Sequence, residues 1–229
     1  MNVTTTGLTR GAAAAAVAAG TIFVAVQINH PPMTVASVET TDWLVRDAAK
    51  MTMSALALAG ITGMYLRQVR ETRLIGLVGY LVFAAGYLTM FGVETVATIV
   101  LPSLTATDPG YVNDVIVAAF GGTPTGDIGQ MQTMLTLSGV GYMLGGLLFG
   151  IALFRARILS RWAAALLAVG TMATAALAAL PDSFNRPFAV PVGIALIGLG
   201  VSLWREARSP RTPSESVLST NLVHEPAAR

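Results

Sequence analysis

Apolar residues along this chain gather into six long runs separated by shorter polar connections. They cover Gly11 to Asn29, Arg46 to Leu66, Leu74 to Leu101, Gln130 to Phe154, Trp162 to Leu180 and Pro187 to Trp204. A helix needs about 20 predominantly apolar residues to cross the hydrocarbon of a bilayer, so each run predicts one transmembrane helix. The first follows a single Arg10 and has the outline of a leader peptide; the expectation is a retained helix. In the longest connection Asp108 stands before Pro109, an N-cap ahead of a proline at the first helical position. Tyr111, Val112, Val115, Ile116, Ala119 and Phe120 follow at helical spacing. That spacing predicts a short helix lying on the outer membrane surface, ended by Gly121 and Gly122. Asp127 is placed to cap the fourth spanning helix. After Trp204 the chain turns to Ser, Pro, Arg and Thr, which bury no core. The division expected is therefore a six-helix domain over 1–204 and a disordered tail over 205–229.

Basic residues set the orientation, because Lys and Arg accumulate in cytoplasmic connections. One set of ends holds Arg10, then Arg67, Arg70 and Arg73, then Arg155, Arg157 and Arg161, then Arg205, Arg208 and Arg211. The other set holds only Arg46, Lys50 and Arg186. The expectation is an all-α integral membrane bundle with both termini cytoplasmic. The outer connections are the longer and more acidic ones.

Composition agrees: 54% of residues are apolar and 11% charged, where a soluble domain carries about 25% charge. With no cysteine there is no disulfide, thiolate nucleophile or Cys-ligated metal. A formal net charge of +2 is no nucleic-acid footprint, and no nucleic-acid partner is expected. All but one of the 14 basic residues are arginine. With the abundance of alanine, that coding bias points to a bacterial cytoplasmic membrane. The chain has no phosphate-binding glycine loop, no G-x-S-x-G turn, no H-E-x-x-H pair and no Asp-rich metal-diphosphate motif. Neither a metal nor another cofactor is expected.

The chemistry-bearing candidates are the polar groups inside apolar runs, since a charge at mid-helix costs on the order of 2.5 to 3.5 kcal/mol and usually marks a site. Glu94 is the carboxylate that qualifies, roughly 10 Å below the outer end of the third run at 1.5 Å per residue. Tyr80, Phe83, Tyr87 and Phe91 precede it at steps of three or four, which puts four rings and the acid on one helix face. That face reads either as the wall of a pocket for a long apolar substrate or as packing against a neighbouring helix. Asp47 and Lys50 are spaced to pair at the outer end of the second helix. Lys50 or Arg46 facing the third helix would turn Glu94 from a proton donor into a base or an ion-pair partner. His30, Asp127, Gln130 and Asn185 gather at the same level. Small residues repeat at four-residue spacing in the fourth run, Gly141 with Gly145 and Gly146 with Gly150, which suits close helix packing or a homodimer contact.

The run LLFGIALFRARILSRWAAALL, ending at Leu167, and the ending PVGIALIGLGVSLWREAR resemble the closing helices of a family of small bacterial multi-pass membrane proteins to which no activity is attached. In size, helix number and buried acid the chain is also similar to small membrane-bound terpene cyclases, an analogy without a shared motif. The first expectation of function is a membrane enzyme acting on an isoprenoid or other lipid small molecule. Glu94 would be its general acid, Asp47 or Asp127 a second carboxylate, and Tyr80, Phe83, Tyr87 and Phe91, with Lys50 and His30, the binding wall. The alternatives are a small proton-coupled transporter, in which Glu94 loads and releases a proton, and a non-catalytic accessory subunit.

Overall fold

The computed structural model describes residues 4–179 and 186–208, with the backbone alone for 177–179. Leu180, Asn185 and nearly all of the expected tail lie outside the described residues. Among the described residues the chain is all-helical. Its α-helices are α1 (Thr5–Ala25), α2 (Val35–Val38), α3 (Thr41–Arg67), α4 (Val69–Thr95), α5 (Leu101–Leu104), α6 (Pro109–Ala119), α7 (Gln130–Ala156), α8 (Arg161–Ala173) and α9 (Val190–Glu206). A π-helical turn, Val96–Val100, joins α4 to α5, and 3-10 turns cover Thr174–Ala179 and Pro187–Ala189.

Four segments are long and apolar enough to cross a membrane: Thr5–Ala25, Val69–Leu104, Gln130–Ala156 and Pro187–Glu206. They correspond to the first, third, fourth and sixth runs. The second run forms the 27-residue α3, but Asp42, Arg46, Asp47 and Lys50 in its first turns make it too polar to stand with those four. The fifth run gives only the 13 residues of α8 before the backbone tightens into a 3-10 turn at Thr174. There Thr174 Oγ1 donates to the Thr171 carbonyl, 2.6 Å away. Side chains that bond the backbone of the preceding turn compete with the regular helix ladder. In α4 the regular helix is interrupted at Arg73, at φ 51° and ψ −146°, and the continuous rod starts at Leu74, where the sequence pattern places it.

The six longer helices close into a ring in chain order, α1 on α3, α3 on α4, α4 on α7, α7 on α8, α8 on α9, and α9 back on α1. Phe83, Tyr87, Phe149, Met53 and Ile61 fill the middle. Glycine sets the closest of these contacts. A Cβ on Gly145 would stand 2.3 Å from the Phe83 backbone nitrogen, and one on Gly86 2.6 Å from that of Tyr142. The backbones of α4 and α7 therefore touch, an approach that only small residues permit. Gly146 and Gly150 meet Thr171 and Ala164 on α8 in the same way. Both glycine pairs of the fourth run make contacts inside the chain, with α4 and α8, the close-packing alternative of the two weighed. Ala13, Ala16, Ala19 and Gly20 make α1 equally slim, and all four are buried.

The helix expected on the outer surface is α6, with Asp108 as its N-cap accepting from the Tyr111 amide at 3.0 Å. Its face of Val112, Val115 and Ile116 is buried in a second core with Trp43, Leu101, Ile128 and Met131. The helix thus lids the bundle end and turns its apolar face to protein. Gly121, at φ +78°, ends it in the left-handed conformation that favours glycine. Asp114 folds the following loop back onto α6: its carboxylate accepts from the Gly126 amide at 2.7 Å, and from the Thr125 amide and hydroxyl at 3.1 and 3.0 Å.

Adding one methyl to α7 tests the backbone contact. Gly145→Ala should cost about 1 to 3 kcal/mol by forcing α4 and α7 apart. Gly139→Ala, whose Cβ meets nothing within 4 Å, should be neutral or gain up to about 1 kcal/mol from helix propensity. Unfolding in detergent compares the two, and equal effects would contradict the close contact. The Asp114 loop supplies a pH test. The Thr125 and Gly126 amides hold the Asp114 carboxyl below its usual range, so it binds a proton less readily folded than unfolded. Its stabilisation is complete above the unfolded value of about 3.9 and is lost as pH falls through the lower folded value. The Thr125 and Gly126 amide resonances should shift together in micelles with a midpoint under about 3.9, and Asp114→Asn should abolish that shift.

Candidate functional site

The site begins with a proline. Pro102, at the start of α5, has no N–H to give, and the π turn before it directs the Leu101 amide to the Val96 carbonyl. The Ala97 carbonyl loses its helical donor on both counts. The Trp43 indole Nε1–H from α3 takes the place of that donor, 3.0 Å from Ala97 O. This bond pins the first turns of α3 against the end of α4.

One turn further along α3, Arg46 performs the same service for α1. That helix has no basic residue in its last turn. The Arg46 guanidinium donates to the carbonyls of Val26, Ile28 and Asn29 at 3.1, 2.9 and 3.1 Å, while its Nε pairs with Asp42 at 2.9 Å. A cation here also complements the negative end of the α1 dipole.

With α3 held on both sides, Asp47 and Lys50 face α4. Asp47 is almost fully enclosed and hydrogen-bonds Lys50, whose Nζ also lies 3.9 Å from Glu94 Oε2. The Lys50 and Glu94 side chains are only 16% and 17% exposed. Of the two α3 cations weighed beside Glu94, Lys50 lies next to it and Arg46 turns to the α1 carbonyls. One amine thus lies between two carboxyl groups. Such a set can accept, store and release a proton, and it does not present Glu94 as an isolated acid.

His30 lies beside this set, on the connection after α1. Its Nδ1 is 2.9 Å from the Pro31 carbonyl and 3.1 Å from Arg186 Nη2. One ring nitrogen cannot donate to the carbonyl and accept from the guanidinium in the same tautomer, so these contacts alternate. Burial first, then Arg186, Lys50 and Arg46, push the imidazole below its usual value against the pull of the Pro31 carbonyl. That depression favours the neutral imidazole. Asp127 is elsewhere: it is exposed, and its carboxylate accepts from the Gly129 amide at 2.7 Å in the turn that leads into α7.

The aromatic stripe is packing. Phe83 and Tyr87 are buried, with centroids 4.8 Å apart, and Phe83 lies 5.9 Å from Tyr142 and 6.2 Å from Phe149. Tyr80 stacks on Tyr65 at 4.6 Å and hydrogen-bonds Thr62 at 3.0 Å. Phe91 is exposed and outside the ring cluster. At about 100° per residue it stands about 80° round the helix from Phe83, whereas Glu94 stands only about 20° from it. Tyr142, which with Phe149 supplies the α7 rings of this cluster, is not singled out by the sequence, although a lone tyrosine inside an apolar run is a usable signal. Among the described residues the hydroxyls of Tyr87 and Tyr142 are both enclosed without a hydrogen-bond partner.

Set against protein-family models, curated proteins and solved structures, the chain matches none.

Removing the Arg46 guanidinium should loosen α1 from α3. We expect Arg46→Ala to cost about 2 kcal/mol in thermal unfolding, in the range for hydrogen bonds to a charged group. Arg46→Lys should recover less than half of it, since one ammonium cannot span three carbonyls. Full rescue by lysine would show that charge alone matters there.

Proposed function

We propose that the chain is an integral protein of a bacterial cytoplasmic membrane, crossing six times with both termini cytoplasmic, and that it is a small proton-coupled transporter. Asp47, Lys50 and Glu94 are its proton-exchanging centre. Support for the orientation comes from the basic connections and from the meeting of both described chain ends: Thr5 and Arg208 border the same groove, with Arg10 and Arg67. The observation that carries the function is the Asp47–Lys50–Glu94 set itself, enclosed between α3 and α4 with one amine serving two carboxyl groups. Ionisable residues held this way inside a membrane bundle are characteristic of proton relays. The unpartnered Tyr87 and Tyr142 hydroxyls and the Thr62–Tyr80 pair continue polar positions from that end toward the other.

The reading as a terpene-cyclase-like enzyme has less support. Tyr80, Phe83 and Tyr87 pack on one another and on their neighbours instead of lining an open wall, and Lys50 makes Glu94 an ion-pair partner.

Proteoliposomes loaded with a pH-sensitive dye test the proposal, with gradients of inorganic cations, small amines and small carboxylic acids imposed in turn. At least one gradient should move protons in the wild type, and Glu94→Gln and Asp47→Asn should reduce that movement at least about ten-fold. Indistinguishable responses from wild type, variants and empty vesicles across the panel would overturn it. So would a defined isoprenoid found by mass spectrometry to accumulate unconverted on purified Glu94→Gln, which would assign acid catalysis instead.

A further inference from the structure

At the end of the bundle away from Glu94, a groove of about 1220 Å³ opens between the start of α1, the end of α3 and the end of α9. Its floor is made of small and apolar residues, among them Ala12 on α1 and Ala55, Leu58, Ala59 and Gly63 on α3. Leu8 and Leu66 stand at its rim, 63% and 67% exposed. The mouth is cationic: Arg10, Arg67 and Arg208 border it, against one acid, Glu206, which is paired with Arg67. The guanidinium groups of Arg10 and Arg208 both lie by the Trp204 ring, 5.9 and 5.5 Å from its centroid. Among the described residues the Nε of Arg10 is enclosed without a hydrogen-bond partner. The first turn of α1 adds its positive dipole end at the same place.

An apolar trough that ends in a cluster of arginines has the two-part chemistry of a phospholipid, an acyl chain joined to a phosphate. From this charge complementarity the geometry points to a site for one anionic phospholipid, its phosphate at Arg10, Arg67 and Arg208 and one acyl chain along Ala55 and Ala59. Arginine suits a phosphate because its planar fork donates two parallel hydrogen bonds. A zwitterionic headgroup offers the same phosphate but carries a cation into a mouth that is already positive. The groove therefore selects the anionic lipid. The site is independent of the Asp47–Lys50–Glu94 set, and either proposal can fail without the other.

Native mass spectrometry of the detergent-purified full chain tests this, with phosphatidylglycerol, phosphatidylcholine and inorganic phosphate as separate probes. The expected result is one retained phosphatidylglycerol, preferred several-fold over phosphatidylcholine. Each of Arg10→Ala and Arg208→Ala should lower that preference about five-fold. Ala55→Leu with Ala59→Leu should reduce retention of both lipids by filling the exposed floor. Glu206→Gln, which removes the acid and keeps every arginine, should raise the preference, so the site can be tested even if an arginine variant fails to fold. Equal retention of the two lipids would overturn the proposal. Inorganic phosphate competing as well as the lipid would overturn it too, by showing an anion site without a chain-binding trough. Retention appearing only after residues 209–229 are removed would overturn it in favour of that segment as the occupant.

Discussion

A backbone carbonyl that loses its helical donor inside an apolar bundle has no water to turn to, and the end of this bundle that holds Glu94 is organised around that constraint. Pro102 and the π turn strand the Ala97 carbonyl, and α1 ends with no cation of its own. Both needs are met from the first turns of α3, by Trp43 and Arg46. Residues 43, 46, 47 and 50 follow one another at steps of three, one and three, so they share one face of a helix. The two caps therefore also aim Asp47 and Lys50 at Glu94. The geometry of the charged set is a consequence of backbone satisfaction, and a change at Trp43 or Arg46 would reach Glu94 without touching it.

Glycine contact decides what the aromatic face of α4 becomes. Gly79 and Gly86 on α4 and Gly141 and Gly145 on α7 let the two backbones meet. Phe83 and Tyr87 then project into the middle of the ring, where Tyr142 and Phe149 close on them. With less small residues at those positions, the same stripe would stand off from its neighbour and leave space between rings. The sequence contains both the stripe and the glycines, but the face that each glycine presents depends on which helix it meets.

That difference marks how far the residues could be read in advance. The apolar runs mark where the longer helices lie, with Leu74 as the start of the α4 rod and Asp108 as the cap of α6 following from local chemistry, but four of the six stand as spans and the fifth run yields only the 13 residues of α8. The pairing of Asp47 with Lys50 was legible for the same reason, being an i, i+3 relation within one helix. What joins different helices was not: Arg46 on the α1 carbonyls, Trp43 on Ala97 and Tyr142 beside Tyr87 are contacts between residues far apart in sequence. Asp127, expected as the cap of the fourth helix, instead bonds the Gly129 amide in the turn before α7, whose N-cap Gly129 carries no side-chain bond.

The two unpartnered tyrosine hydroxyls bear on what the bundle does. A buried hydroxyl left without a partner costs about 1 to 3 kcal/mol, whereas phenylalanine would fill nearly the same space in a ring cluster that already contains Phe83 and Phe149. Packing therefore gives no reason for hydroxyls at positions 87 and 142. Buried polar groups are ordinarily satisfied by protein, water or ligand, and no group among the described residues is the partner here. Tyr87 stands on the same face of α4 as Glu94, two helical turns before it, and Tyr80 stands two turns earlier still, bonded to Thr62 at the edge of the arginine-lined groove. Under the proposed function these hydroxyls would extend the polar face of α4 that ends at Glu94, a use that a core which only holds helices together does not supply.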